Sequence, residues 1–141
     1  MGLREMIEIL SGSFTPFEEL VGKTAARVER VDNLDGGNEG ILFEFDDGSL
    51  YHLVHHQDCC EGVSIEDIEG DLEDLIGSPL TMAEESYSDA LEGSDHEWYD
   101  GHATWSFYRF ATVKGYVTIR FYGSSNGYYS ETAGLYRIDT P

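Results

Sequence analysis

Residues 103–122 read ATWSFYRFATVKGYVTIRFY, two β-rich runs separated by Lys114-Gly115, and they decide the fold class. β-Branched and aromatic side chains suit the half-buried pleated surface of a sheet. In the second run Tyr116, Thr118, Arg120 and Tyr122 share one face and Val117, Ile119 and Phe121 the other, because successive side chains of a strand point to opposite sides. The apolar face is predicted to be buried and the other to carry tyrosine, threonine and arginine. A third run, residues 128–138, follows Ser124-Ser125-Asn126-Gly127, and Asn-Gly is a strong hairpin signal. The three runs predict a β-meander with residues 116–122 at its centre, paired to both neighbours.

The rest of the chain reads the same way. Alternation from Ala25 predicts a strand ending in a turn at residues 33–38, and residues 41–45 and 50–54 form a hairpin across Asp46-Asp47-Gly48. Residues 63–68 and 80–87 are predicted strands, and the acidic residues 88–101 a long exposed loop. Helical signals are few. Residues 3–10 are a candidate short helix. Thr15-Pro16-Phe17-Glu18 has the form of a capping box with proline at the first helical position, and Gly22 stops the helix after residues 16–21. Leu72, Leu75 and Ile76 share a face at helical spacing before Gly77 and Pro79. The predicted fold is α+β, mainly antiparallel β: a curved sheet or partly closed barrel with one or two short N-terminal helices at one side, in a single domain over residues 1–141.

Charge limits the partners. The chain holds 28 acidic and 8 basic residues, a formal net charge of -20, yet no lysine or arginine falls between Arg30 and Arg109, a stretch with 21 carboxylates. Residues 109–141 carry a net +2. Such a block repels phosphate backbones, so duplex nucleic acid is disfavoured, and it attracts a basic protein surface. Spaced carboxylates can also imitate the phosphates of DNA and occupy a basic cleft. The alternative is a solubilising coat, including one of halophilic origin. Calcium is not favoured, because the ordered ligand loop that it requires is absent from the acidic segments. No apolar run reaches the length of a membrane span, and the N-terminal residues lack a secretory apolar region, so a cytoplasmic protein is expected.

Two groups of residues are candidate sites. His55, His56, Asp58, Cys59 and Cys60 lie within residues 52–61 and supply the donor types that zinc prefers, making zinc the candidate cofactor. The spacing matches no paired Cys-x-x-Cys or His-Glu-x-x-His, so a four-ligand site needs a distant donor such as His96 or His102. The competing expectation is a strand that ends at His55, with both cysteines packing at a turn. Adjacent cysteines on a strand point apart, so no disulfide is expected. A cysteine nucleophile beside a histidine has the right residue types but no oxyanion hole in view. The second group is a partner-binding surface: Glu66, Asp67, Glu73 and Asp74 for charge, and Tyr116 and Arg120 for the stacking and hydrogen bonding common at interface hot spots. Its competitor is cross-strand aromatic pairing that stabilises the sheet.

The segments His56-Gln57-Asp58-Cys59-Cys60-Glu61, residues 70–80 (GDLEDLIGSPL), Ala83-Glu84-Glu85, residues 114–120 and residues 125–130 (SNGYYS) resemble an uncharacterised family of small phage and bacterial proteins. The likeness spans roughly residues 40–131. That family carries no assigned activity, cofactor or catalytic residue, so the resemblance implies a phage or bacterial setting and transfers no site. The expected function is that of a small acidic accessory protein that binds another macromolecule and is not an enzyme. The alternative is a metal-binding protein or metal-dependent enzyme using residues 52–61.

Overall fold

The computed structural model describes residues 13–89 and 102–138. Its strands are β1 (Ser13–Phe14), β2 (Ala25–Asp35), β3 (Asn38–Phe45), β4 (Leu50–Val54), β5 (Gly62–Glu69), β6 (Met82–Asp89), β7 (His102–Thr112), β8 (Gly115–Ser125) and β9 (Gly134–Ile138). They form two antiparallel sheets, one ordered β1-β9-β4-β3-β2 and the other β5-β8-β7-β6. The sheets do not close into a barrel. Their inner faces meet in one apolar cluster, where Phe43, Tyr51, Leu53 and Leu135 of the first sheet oppose Tyr108, Phe110, Val117, Ile119 and Phe121 of the second. The Phe43 and Phe110 rings touch across the gap with centroids 5.0 Å apart.

The short helices are single 3₁₀ turns. Phe17–Leu20 follows Pro16, which occupies the cap position itself and makes no side-chain cap bond, so the turn starts one residue later than the expected capping box, with Thr15 as its cap, would place it. Buried Phe17 stacks on Tyr108 at 5.6 Å, and packing is what holds the segment. Leu72–Leu75 is the second turn, capped by Asp71, whose carboxylate accepts the Glu73 N–H, and fully buried Leu75 plugs the core. Helical spacing over so few residues defines a buried stripe but cannot build the successive hydrogen bonds of an α-helix. The candidate helix at residues 3–10 and most of the predicted loop at 88–101 lie outside the described residues; residues 88–89 continue β6.

The hairpins form where the turn residues place them. At the β3–β4 turn Gly48 has φ 89°, and Asp47 accepts the Ser49 N–H at 2.8 Å and the Lys23 ammonium at 2.5 Å. β7 and β8 pair along their full length, from His102↔Ser125 to Thr112↔Gly115.

The predicted meander does not continue past β8. That strand is central, but its neighbours are β7 and β5, while β9 leaves to pair with β4 and β1 in the other sheet. The segment after Asn126-Gly127 is a crossover held by distant groups. The Tyr108 hydroxyl donates to the Ala133 carbonyl at 2.8 Å, and a His55 ring nitrogen meets the Thr132 carbonyl at 2.9 Å. Gly123 lets it approach, since a β-carbon there would collide with the Glu131 carbonyl.

The alternation of β8 is as read: Val117, Ile119 and Phe121 are fully buried, while Tyr116 is 52% exposed. Ile119→Ala should therefore cost about 2–5 kcal/mol, as a large-to-small core substitution. Tyr116→Ala should fall within about 0.5 kcal/mol of the wild type. Urea unfolding measures both, and equal losses would make the outer face as structural as the core.

Candidate functional site

The outer face of the β5-β8-β7-β6 sheet gathers part of the predicted partner surface. The register sets Asp67 opposite Arg120 and Arg120 opposite Phe107, and in the next row Glu69 opposite Thr118 and Thr118 opposite Arg109. A β-bulge between Ile65 and Asp67 brings Asp67 onto this face. Asp67, Glu69, Arg109, Arg120, Phe107 and Tyr116 line a shallow depression of about 250 Å³. The Arg120 guanidinium lies 4.9 Å from the centre of the Trp105 ring and that of Arg109 5.2 Å from Phe107, and Arg109 donates to the Ser86 hydroxyl at 2.7 Å.

Of the six predicted partner residues, the structure thus brings Asp67, Tyr116 and Arg120 together. Glu66 is exposed on the edge strand β5, and Glu73 is exposed on the second 3₁₀ turn. Asp74 is half-buried against Gly115, where a β-carbon would collide with its carboxylate. Sequence reasoning did not single out Glu69 or Phe107 for this face. The register of Phe107 against Arg120 is set by the β7–β8 pairing and that of Glu69 against Thr118 by the bulged β5–β8 pairing, and alternation within one strand reveals neither.

Several carboxylates around the first sheet have a cation as partner. Around the first sheet Lys23 pairs with Asp47 at 2.5 Å, Arg30 with Glu39 at 2.7 Å, Arg27 with Glu44 at 3.2 Å and Arg137 with Glu19 at 3.7 Å. Among the described residues, exposed Glu66, Asp67, Glu69, Glu73 and Glu84 have no cation within 4.0 Å.

The histidine-cysteine segment follows β4 and is organised by Glu61. Its buried carboxylate accepts the backbone N–H groups of Asp58 at 2.9 Å and Cys59 at 2.8 Å and the Gln57 amide at 3.1 Å. The same carboxylate lies 2.8 Å from Nε2 of His55, whose Nδ1 faces the Thr132 carbonyl. Both ring nitrogens of His55 thus face an oxygen of another residue, which fixes the ring's direction. Burial by itself would raise the Glu61 pKa, but the Asp58 and Cys59 N–H groups and the His55 ring outweigh it and lower it from 4.5 to about 2.

His56 stacks on Tyr136 with ring centroids 3.8 Å apart, and His55, His56 and Asp58 share a second depression of about 200 Å³. Cys59 and Cys60 are joined by a disulfide, contrary to expectation. They lie in an exposed bend between strands, where neighbouring side chains are not forced to opposite faces. Among the described residues no three His, Cys, Asp or Glu side chains converge as a metal site requires.

A second buried carboxylate, Glu131, takes hydrogen bonds from Nδ1 of His102 at 2.6 Å, the Thr104 hydroxyl at 2.7 Å and the Ser125 hydroxyl. Burial would raise its pKa, but the Ser125, His102 and Thr104 donors hold it below the usual range; Glu131 in turn raises that of His102. Glu131 had no sequence signal, being one of only two acids in residues 109–141 and far in sequence from its partners His102 and Thr104.

Glu61→Gln keeps the side-chain volume but turns an amide donor toward the Asp58 and Cys59 N–H groups and takes away their charged acceptor, so a loss of about 1–3 kcal/mol is expected. A folded-state pKa below the unfolded one stabilises most at higher pH. The gap in unfolding free energy between wild type and variant should be complete above pH 4.5 and shrink as pH falls toward 2. A gap that stayed constant across that window would mean that the charge does not hold the loop.

A family model described as a domain of unknown function, DUF7448, matches residues 18–134, from the first 3₁₀ turn to the first residue of β9. No curated protein and no solved structure matches the chain. Because the family model covers most of the sequence, including β2 to β8 and both buried carboxylates, the chain belongs to the DUF7448 family of uncharacterised domains.

Proposed function

We propose that this is a non-enzymatic accessory protein that engages a basic protein surface through the carboxylates of its four-stranded sheet. One observation carries the reading: Glu66, Asp67, Glu69, Glu73 and Glu84 are exposed with no described cation in reach, while the basic residues of the first sheet are paired with acids. Unneutralised charge on a rigid face steers an oppositely charged partner and raises its association rate. A partner whose basic cleft ordinarily holds nucleic acid fits the same pattern. The resemblance to small phage and bacterial proteins supports an intracellular partner in a host.

Charge reversal tests the proposal. Glu66→Lys, Glu73→Lys and Glu84→Lys in combination alter exposed positions and spare half-buried Asp74. Basic proteins captured from a bacterial lysate at low salt should be lost with this variant. Wild-type association should slow as salt rises, because at 0.1 M exposed charges are screened over about 10 Å. Capture of no basic protein at low salt, or capture indifferent to the reversals, sinks the reading in favour of a solubilising coat.

The metal reading has a single supporting observation, the common depression shared by His55, His56 and Asp58. Zinc there would require His55 to give up Glu61 or Thr132, and Cys59 and Cys60 to be reduced before either offered a thiolate. Under this reading reduced protein takes up about one equivalent of zinc and loses it on His56→Ala. No uptake after reduction would remove the reading.

A further inference from the structure

We infer that the centre of the outer face of the four-stranded sheet is a subsite for a single carboxylate group, held between Arg109 and Arg120. In a chain with only 8 basic residues, every other described arginine lies within 4.0 Å of a carboxylate. Among the described residues Arg109 and Arg120 have no such partner, although Asp67 and Glu69 line the same depression. Nε of Arg120 is buried with no hydrogen-bond partner among the described residues. A buried N–H left unpaired is costly, so a shift of this side chain toward an acceptor is favoured.

The two guanidinium groups are already oriented. Arg120 lies over Trp105, and Arg109 is fixed by Phe107 and the Ser86 hydroxyl. They are diagonal neighbours, since Arg109 faces Thr118 and Arg120 is two residues further along β8. Side chains in such positions stand roughly 7–8 Å apart at the backbone, within reach of one bound group for residues as long as arginine. A planar guanidinium offers paired N–H donors that match a carboxylate.

Size and charge narrow the ligand. A depression of about 250 Å³ is smaller than the pockets that hold whole drug-sized molecules, so it suits one residue-sized group. Asp67 and Glu69 at its margin oppose a second negative charge, which selects a monoanionic carboxylate over a phosphate dianion, and they favour an ammonium beside it. A free amino-acid-like acid and the C-terminal residue of a peptide both offer this chemistry. The subsite does not depend on the basic-partner reading, because the exposed glutamates tested there are not its ligands.

Trp105 reports on the site once Trp98→Phe leaves it as the sole tryptophan. Nα-acetyl-lysine should change its fluorescence saturably, and the same compound with its carboxylate converted to an amide should bind about tenfold more weakly or worse. Arg109→Gln and Arg120→Gln should each weaken binding by a similar factor while far-ultraviolet spectra stay unchanged. A lysine-terminated pentapeptide that binds more tightly than the single residue would assign the source as a chain terminus, and equal binding a free acid. The inference is overturned if the amide binds as well as the acid in wild-type protein, if inorganic phosphate is preferred, or if no acid binds at millimolar concentration.

Discussion

Two carboxylates had to leave water for this sandwich to close at one end. Glu61 begins the approach to β5, and Glu131 sits in the crossover from β8 to β9. Around them converge the end of β4, the start of β5, the start of β7, the end of β8 and the start of β9. A buried charge is tolerated only when its lone pairs are filled. Glu61 meets three N–H donors and an imidazole, and Glu131 an imidazole and two hydroxyls. These bonds join residues that no sheet ladder joins, so they fix how the two sheets meet.

That constraint explains what the sequence revealed and what it did not. Alternation along residues 116–122 identified the buried face of β8, and Asp46-Asp47-Gly48 identified the β3–β4 turn, because both are local consequences of backbone geometry. Leu75 was legible as a core residue for the same reason. The path of β9 was not. Asn126-Gly127 carries the local form of a hairpin turn, but groups as distant as His55 and Tyr108 hold the following carbonyls and send the strand to β4. Sequence spacing contains no record of such bonds.

The histidine-cysteine segment shows the difference between donor type and donor direction. By type, His55, Asp58 and the cysteines resembled a ligand set. In the fold, the backbones of Asp58 and Cys59 and the ring of His55 all turn toward Glu61, which by sequence was only a neighbour of the candidates. The bend that carries Cys59 and Cys60 is therefore held by backbone bonds to a carboxylate as well as by the disulfide. Its conformation rests on Glu61 whichever oxidation state the sulfurs adopt.

The proposed partner face was read from charge and strand faces, which are additive properties of the sequence, whereas the centre of that face required the register of three strands. Acidic residues on edge strands also have a structural use, since charge on β5 and β6 discourages pairing with another sheet. Edge protection, however, accounts for neither arginine. Arg109 and Arg120 lie on the inner strands β7 and β8, away from any free edge, and burying part of Arg120 without a partner for Nε stabilises nothing by itself. Stacking on Trp105 and Phe107 offsets part of the cost of holding two like charges on one face, and it does so by fixing their direction. A sheet shaped only for stability would place neutral β-formers at these two positions; cations held in place with no described carboxylate within 4.0 Å are what a face needs in order to receive an anion.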